Sequence, residues 1–231
     1  MKLLPLVLIL LLGLFASPVH AAQKIMTMDI PDNPPTPFPT VLRKVVVFIQ
    51  AVCDTGDGKS LTDSGTGFVV SYSPDNKRTF DYLVTNRHVA ECSDGNPLHS
   101  KPIKSITIKM NLSDNTAKEQ QTNGNFHWYF SNDDSVDLAA TPWKVDSGAE
   151  LLSVPLDISA TRDFLNANYV GEGSKIIFAG FFYQLPNTHR LQPVIREGIL
   201  SMMPDEPIQT TTGKPGMLYL GDIHSFGGNS G

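Results

Sequence analysis

Residues Tyr82–Ala90 have the sequence YLVTNRHVA, in which an apolar run leads directly into a polar turn. The apolar and β-branched residues predict a strand that ends near Thr85. A single helical turn is predicted from Arg87 to Cys92, and it would hold His88 exposed but rigid at its start. Taken alone, the motif is compatible with a hydrogen-bonded surface histidine as well as with a functional one.

The chain on either side of this motif predicts an all-β fold. Short apolar runs alternate with polar clusters that contain glycine, proline, asparagine and aspartate, as in a barrel or a sandwich. One helix is predicted at Thr161–Asn168, and the glycines of residues 64–70 would let another backbone approach closely. The predicted strands are Val45–Ile49, Gly65–Tyr72, Phe80–Thr85, Ile103–Met110, Phe126–Phe130, Lys175–Phe182, Val194–Met203 and Met217–Ile223.

The composition is that of a globular protein. Hydrophobic residues make up 41% of the 231 residues and charged residues 18%, which provides enough apolar mass for a core and excludes wholesale disorder. The formal net charge is −5, so the long-range field repels nucleic acid and anionic membrane surfaces. No nucleic-acid partner is therefore expected.

The N-terminal residues are predicted to lie outside the folded domain. Residues 1–21 combine a lysine, an aliphatic run and a small-residue cleavage site after Ala21, which is the pattern of a secretory signal peptide. The apolar run is shorter than the roughly 20 residues that a membrane-spanning helix needs, so no stable membrane insertion is expected after cleavage. Residues 22–40 are rich in proline and predict an extended linker before a domain of residues 41–231. A secreted or periplasmic protein is expected.

Cys53 and Cys92 are the only cysteines in the chain. In an oxidising compartment such a pair predicts a disulfide, and the alternative is two free buried thiols. A zinc site would need four ligands at close spacing, and no such cluster occurs in the sequence. No metal site is therefore predicted.

Two further motifs place polar residues in unusual surroundings. Asp137 is flanked by Val136, Leu138 and Ala139, where a buried carboxylate needs a hydrogen-bond donor such as an imidazole N–H. The alternative is an aspartate at a strand edge that faces water. Gly227–Gly231 has the sequence GGNSG, a turn that can point backbone N–H groups at an oxyanion or can be an ordinary glycine-rich turn.

Serine, histidine and aspartate are informative as a set, because a hydroxyl needs a base to take its proton and the base needs a carboxylate to fix its tautomer. His88, Asp137 and Ser230 occur in that order along the chain. With their flanking residues TNRHVA, DLA and GNSG, they resemble the trypsin/chymotrypsin-like serine protease superfamily. The resemblance is to its bacterial secreted branch, HtrA-like and glutamyl-endopeptidase-like, and covers residues 41–231.

The resemblance implies a double β-barrel of the chymotrypsin type, with six strands in each barrel and the active site between them. The first barrel would span about residues 41–145 and the second about 146–231. Ser230 would be the nucleophile, His88 the general base and Asp137 the residue that orients the imidazole. The backbone N–H groups of Gly228 and Ser230 would form the oxyanion hole. The reaction would be hydrolysis of a protein or peptide substrate through an acyl-enzyme, without a metal or an organic cofactor.

Several positions depart from the family pattern. Asn229 stands where digestive members have an aspartate that binds a freshly cut N-terminus, so activation by that cleavage is not expected. Val69 and Val70 occupy the strand where those members have a cysteine, so a disulfide would use Cys53 instead. His224 lies where the family has the residue at the base of the S1 pocket. Its imidazole would suit a polar or acidic P1 side chain, and the alternative is a plain strand residue.

Family members continue for several strands beyond the serine, so the second barrel is expected to be incomplete in this chain. The main prediction is a secreted serine endopeptidase. The alternative is a non-catalytic exported binding module on a truncated protease fold. A third possibility, a secreted β-rich lectin or adhesin, would require the three motifs to coincide by chance. No particular oligomeric state is predicted.

Overall fold

The computed structural model describes residues 10–11, 38–75, 77–93, 100–122, 127–181, 189–210 and 212–223. Three predicted site residues, Gly228, Ser230 and His224, lie outside the described residues. The predicted signal peptide except for Leu10–Leu11, and the predicted linker up to residue 37, lie outside them as well.

Short strands dominate the described residues, and they are connected by turns and brief helices. The strands are β1 (Leu10–Leu11), β2 (Val46–Asp54), β3 (Ser60–Tyr72), β4 (Phe80–Thr85), β5 (Ile103–Asn111), β6 (Ala117–Thr122), β7 (Tyr129–Phe130), β8 (Ala139–Pro142), β9 (Val154–Pro155), β10 (Lys175–Gly180), β11 (Val194–Met202), β12 (Ile208–Gln209), β13 (Pro215–Gly216) and β14 (Leu220–Asp222). The helices are α1 (Phe38–Val41), α2 (Arg87–Glu91) and α3 (Arg162–Ala167), with 3₁₀ turns at Leu42–Lys44 and Leu156–Ile158.

The larger sheet has the strand order β6-β5-β2-β3-β4-β8-β7, and β9 pairs in parallel with β3. Alternate residues of a strand point to the same face, and in β2 Val47, Ile49 and Ala51 are fully buried on one face. They form a single core cluster with Ile106 and Ile108 of β5. The apolar periodicity of the sequence therefore places the main core against this sheet.

The second sheet has the order β1-β10-β11-β14, and β12 and β13 pair separately. Leu10 and Leu11 pair with Ile177 and Ile176 of β10, although both leucines belong to the predicted signal peptide. Cleavage after Ala21 stays a prediction. The strand pairings of the described residues form open paths, so the closure of two six-stranded barrels also stays a prediction.

The all-β fold class is confirmed, and the predicted strands and helices correspond to β2–β5, β7, β10, β11, β14, α2 and α3. Strand β6 was not predicted, because all residues of its sequence AKEQQT except Ala117 are polar. Helix α1 begins inside the predicted linker, since Pro39 lies in the first helical turn, where its missing N–H costs no hydrogen bond. Within the described part of the chain, no helix has the length and apolarity needed to cross a bilayer.

Candidate active site

His88 is held at the start of a short helix directly behind a buried strand. Strand β4 ends at Thr85, and Asn86 is extended (φ −71°, ψ 146°) before α2 begins at Arg87. The side chain of Asn86 is buried, and its Nδ2 donates a hydrogen bond of 2.9 Å to the backbone carbonyl of Asp137. The strand end that carries His88 is therefore tied directly to the segment that carries Asp137.

The Asp137 carboxylate contacts His88 with both of its oxygens. Oδ2 lies 2.6 Å from the imidazole Nδ1, and Oδ1 accepts a 2.9 Å hydrogen bond from the backbone N–H of His88. The side chains of His88 and Asp137 are only 17% and 10% exposed. The structure thus brings these two predicted residues together and gives the buried carboxylate the imidazole partner that its apolar surroundings require.

This contact determines which imidazole nitrogen is available for chemistry. An ionised carboxylate only accepts hydrogen bonds, so Nδ1 of His88 carries the proton that is directed at Asp137. In the neutral ring, Nε2 then holds the lone pair. The arrangement can take a proton at Nε2 and stabilise the resulting imidazolium through Asp137.

A second carboxylate, that of Asp63, also acts on His88. Burial alone lowers the pKa of His88, but the hydrogen bond and charge of Asp137, together with the charge of Asp63, outweigh burial and raise it. Burial raises the pKa of Asp63, while the Ser64 N–H and the charge of His88 oppose that rise. Among the described residues, Asp63 forms no ion pair with a lysine or an arginine, and its Oδ1 accepts a 2.8 Å hydrogen bond from the backbone N–H of Ser64.

Arg87 joins the His88 helix to the loop before Asp137. Its Nε donates to Oε2 of Glu91 at 3.0 Å within α2, and its Nη1 lies 3.4 Å from Oδ1 of Asp134. The guanidinium carbon also lies 4.9 Å from the centre of the Phe130 ring, within cation–π range. The side chain of Arg87 is 16% exposed, so these contacts operate partly shielded from water.

A disulfide fixes the other end of this helix. Cys53 of β2 is bonded to Cys92, with a Cα–Cα distance of 6.4 Å, and the chain therefore has the predicted disulfide and not two free thiols. Cys92 ends α2 in the left-handed conformation (φ 49°), and its backbone N–H donates to the carbonyl of His88. The helix that carries His88 is consequently anchored to the central strand β2.

The second half of the chain approaches the loop that carries Asp137. A Cβ placed on Gly216 would lie 2.5 Å from Oγ of Ser135, so only glycine permits this approach of β13. Ser135 is two residues before Asp137, and its N–H donates to Oδ1 of Asp133 at 2.9 Å. Elsewhere, the backbone N–H of Phe181 donates to Oγ1 of Thr66 at 3.1 Å.

The predicted close approach at the glycines of β3 is present at Gly67. A Cβ at Gly67 would lie 2.6 Å from Cδ1 of Ile49 and 3.1 Å from the carbonyl oxygen of Val84. The absence of a side chain therefore lets β3 lie against the core beneath the strand that leads to His88.

Asn86, Arg87 and Asp63 contribute to the site, and none of them was predicted as a site residue from the sequence. Asn86 and Arg87 immediately precede His88, so their adjacency was a usable signal. The sequence around Asp63 contains no such signal. Asp63 comes close to His88 only because β3 pairs with β2, where Asp63 lies opposite Ala51. Among the described residues, no group of three or more histidine, cysteine, aspartate or glutamate side chains could hold a metal ion.

No protein-family model and no curated protein matches the chain. Among solved structures, the crystal structure of Deg5 is similar, with a TM-score of 0.52 and 20% identity over 83% of this chain and 74% of that one. The HtrA-type protease AlgW with decapeptide has a TM-score of 0.46 and 16% identity, and the match covers 81% of this chain and 51% of that one. The active form of the Rv3671c protease from M. tuberculosis has a TM-score of 0.45 and 18% identity, and the match covers 87% of this chain and 67% of that one. The likeness to Deg5 shows that the chain has a trypsin-like protease fold.

Proposed function

We propose that this chain is a secreted or periplasmic serine endopeptidase in which Ser230 is the nucleophile, His88 the general base and Asp137 the residue that orients the imidazole. The observation that carries the proposal is the contact of both Asp137 oxygens with His88, at 2.6 Å and 2.9 Å. The trypsin-like protease fold supports it, because the two residues occur in the expected order within that fold.

The first half of the reaction forms an acyl-enzyme. Oγ of Ser230 attacks the carbonyl carbon of the scissile peptide bond as its proton moves to Nε2 of His88. The resulting oxyanion is held by the backbone N–H groups of Gly228 and Ser230. The tetrahedral intermediate then collapses, the C–N bond breaks, and the leaving amine takes the proton from His88.

The second half releases the acyl group. A water molecule gives a proton to Nε2 of His88 and attacks the ester carbonyl, and the proton returns to Oγ of Ser230 as the carboxylic acid leaves. Asp137 accepts the hydrogen bond from Nδ1 and stabilises the imidazolium in both halves. The chemistry requires a hydroxyl, an imidazole and a carboxylate, so the proposal includes no cofactor.

The course of the second half of the chain supports Ser230 as the partner of His88 and Asp137. Gly216 packs against Ser135, beside Asp137, and β14 then pairs with β11 at Leu220–Asp222. The described chain ends at residue 223, seven residues before Ser230. At up to about 3.5 Å per residue, those seven residues can span at most roughly 25 Å. His224 in this stretch would favour a polar or acidic P1 side chain.

Hydrolysis of a mixed peptide library tests the proposal. The protein expressed from its full coding region is expected to cleave peptides, and Ser230→Ala and His88→Ala are expected to lose cleavage. Ser201→Ala is the matched control, because Ser201 is exposed on β11 and its hydroxyl donates only to the nearby carbonyl of Ile199, at 3.5 Å. Retention of peptides without cleavage would contradict the proposal and support a binding module.

A further inference from the structure

Asp63 is a carboxylate on the face of the larger sheet against which the His88 helix packs. It lies opposite Ala51 in the pairing of β3 with β2, and directly opposed residues of an antiparallel pair share one face of the sheet. Cys53 is on the same face as Ala51, and its disulfide to Cys92 ties the end of α2 to that face. Helix α2 contacts both β2 and β3. Asp63 and His88 are therefore neighbours across the packing of α2 on the sheet.

The fold offers the Asp63 carboxylate no cationic side chain. Asp63 is half-buried, and Oδ1 accepts its 2.8 Å hydrogen bond from the adjacent backbone N–H of Ser64. The one arginine of α2, Arg87, is already paired with Glu91 and Asp134. Burial raises the pKa of Asp63, which shows that its contacts do not offset the loss of solvent. The carboxylate therefore has room for a favourable contact with a cation.

His88 does not supply that cation before the reaction begins. A general base must be neutral, and the one proton of the neutral His88 ring is directed from Nδ1 at Asp137. Asp137 has the imidazole and the backbone N–H of His88 as its partners, whereas Asp63 has no comparable partner in the described part of the chain. Asp63 is thus the acid beside His88 whose charge is left for a bound molecule to match.

The chemistry indicates which part of a peptide comes close to this carboxylate. In the proposed reaction, Nε2 of His88 gives its proton to the leaving amine, and that amine is the backbone nitrogen of the P1′ residue. The P1′ side chain starts at the Cα that is bonded to this nitrogen. The P1 side chain lies on the other side of the scissile bond, where His224 is proposed to act. A P1′ side chain is therefore the one placed beside His88 and its neighbour Asp63.

We infer that Asp63 makes the protein select substrates with arginine or lysine at P1′, a preference that rests on the proposed function. Both side chains carry their charge on a long apolar stem, which can pass the imidazole and reach a half-buried acid. A guanidinium can also donate two parallel N–H groups to one carboxylate. The substrate would thereby provide the cation that the fold withholds from Asp63.

Peptides that differ only at P1′ test the inference. One peptide that the protein cleaves is resynthesised with arginine, glutamine or glutamate at P1′. The value of kcat/KM is expected to be about tenfold higher for arginine than for glutamine, the size of one charged hydrogen-bonded contact. Glutamate should give the lowest value. Equal kcat/KM for the arginine and glutamine peptides would overturn the inference.

Asp63→Asn should abolish the preference for arginine over glutamine. The ratio of the two kcat/KM values is the decisive quantity, because both peptides react with the same base and any change in His88 cancels. Asp57→Asn is the matched control, since Asp57 is an exposed acid in the same hairpin and pairs with Lys59. A ratio that Asp63→Asn leaves unchanged would also overturn the inference.

Peptide binding to Ser230→Ala gives a readout that needs no hydrolysis. One bound peptide is scanned by isothermal titration with arginine or glutamine at each position in turn. Tighter binding with arginine at one position, lost in Ser230→Ala/Asp63→Asn, would support the role of Asp63 even if the unmodified protein cleaves no peptide. Absence of cleavage overturns the proposed function. Cleavage or binding without preference for arginine overturns the role of Asp63.

Discussion

The carboxylate of Asp137 fixes His88 at two points, through the imidazole Nδ1 at 2.6 Å and through the backbone N–H at 2.9 Å. The backbone contact sets the position of the helix start, and the imidazole contact sets the ring orientation and tautomer. One side chain therefore positions both the peptide and the functional ring of the candidate base. Because both contacts are shielded from water, they are stronger than they would be on an exposed surface.

Asp137→Asn is expected to lower kcat by about 10⁴-fold, the size found when the aspartate of a serine protease triad is replaced. An asparagine can direct an N–H at Nδ1 of His88, which favours the tautomer with the proton on Nε2. Asp134→Asn is the matched control, since Asp134 is exposed and contacts Arg87 at 3.4 Å. Peptide hydrolysis rates measure both variants, and an equal loss in the two would contradict the orienting role of Asp137.

Asp63→Asn is expected to lower the pKa of His88, because it removes a negative charge that favours the imidazolium. A base must be neutral to act, so the acidic limb of kcat/KM should move to lower pH. NMR titration of the His88 ring gives the pKa directly, with assignment from the spectrum of His88→Ala. Asp57→Asn, at an exposed acid in the same hairpin, should leave that pKa unchanged. An unchanged pKa in Asp63→Asn would show that Asp63 does not act on the ring.

Loss of the Cys53–Cys92 disulfide should destabilise the protein by about 4 kcal/mol, because the bond closes a loop with a sequence separation of 39 residues. Replacing both cysteines by serine should also release the end of α2 and reduce activity. Guanidinium unfolding with and without reductant measures the effect, and the double serine variant should not respond to reductant. A free energy of unfolding that reductant leaves unchanged would contradict this prediction.

Gly216→Ala should displace the loop before Asp137, because the added Cβ would lie 2.5 Å from Oγ of Ser135. Misplacement of a catalytic group by 1 Å can cost about 100-fold in rate, so a loss of up to that size in kcat is expected. The double variant Gly216→Ala/Ser135→Gly removes the clash and should recover activity. Gly171→Ala is the control, since a Cβ there meets no atom within 4 Å. Failure of the double variant to recover while it remains folded would refute the contact.

Local sequence patterns predicted the strands that build the larger sheet, because alternation in stretches such as β2 reflects burial on one face. The polar strand β6 and the two-residue strands β9, β12 and β13 carry no such signal, since pairing with neighbours alone makes them strands. Helix α1 carries no such signal either, because proline-rich sequence predicts extended chain, whereas Pro39 here lies in a first helical turn, where proline is tolerated.

The His88–Asp137 pair could be predicted because each residue lies in a motif whose chemistry requires the other. A carboxylate among apolar neighbours needs a donor, and a histidine base needs a carboxylate. The role of Asp63 could not be predicted, because it depends on how β3 registers against β2 and on where the disulfide places α2. Strand register depends on the whole sheet, so it cannot be predicted from the four or five residues around Asp63.

The most direct test of the central claim is mass-spectrometric mapping of a fluorophosphonate adduct on the protein expressed from its full coding region. One adduct is expected, on Ser230, with no adduct in Ser230→Ala and greatly slowed labelling in His88→Ala. Ser201→Ala should be labelled at the rate of the unmodified protein. An adduct on another residue, or labelling that persists in Ser230→Ala, would contradict the assignment of Ser230, His88 and Asp137 as one catalytic unit.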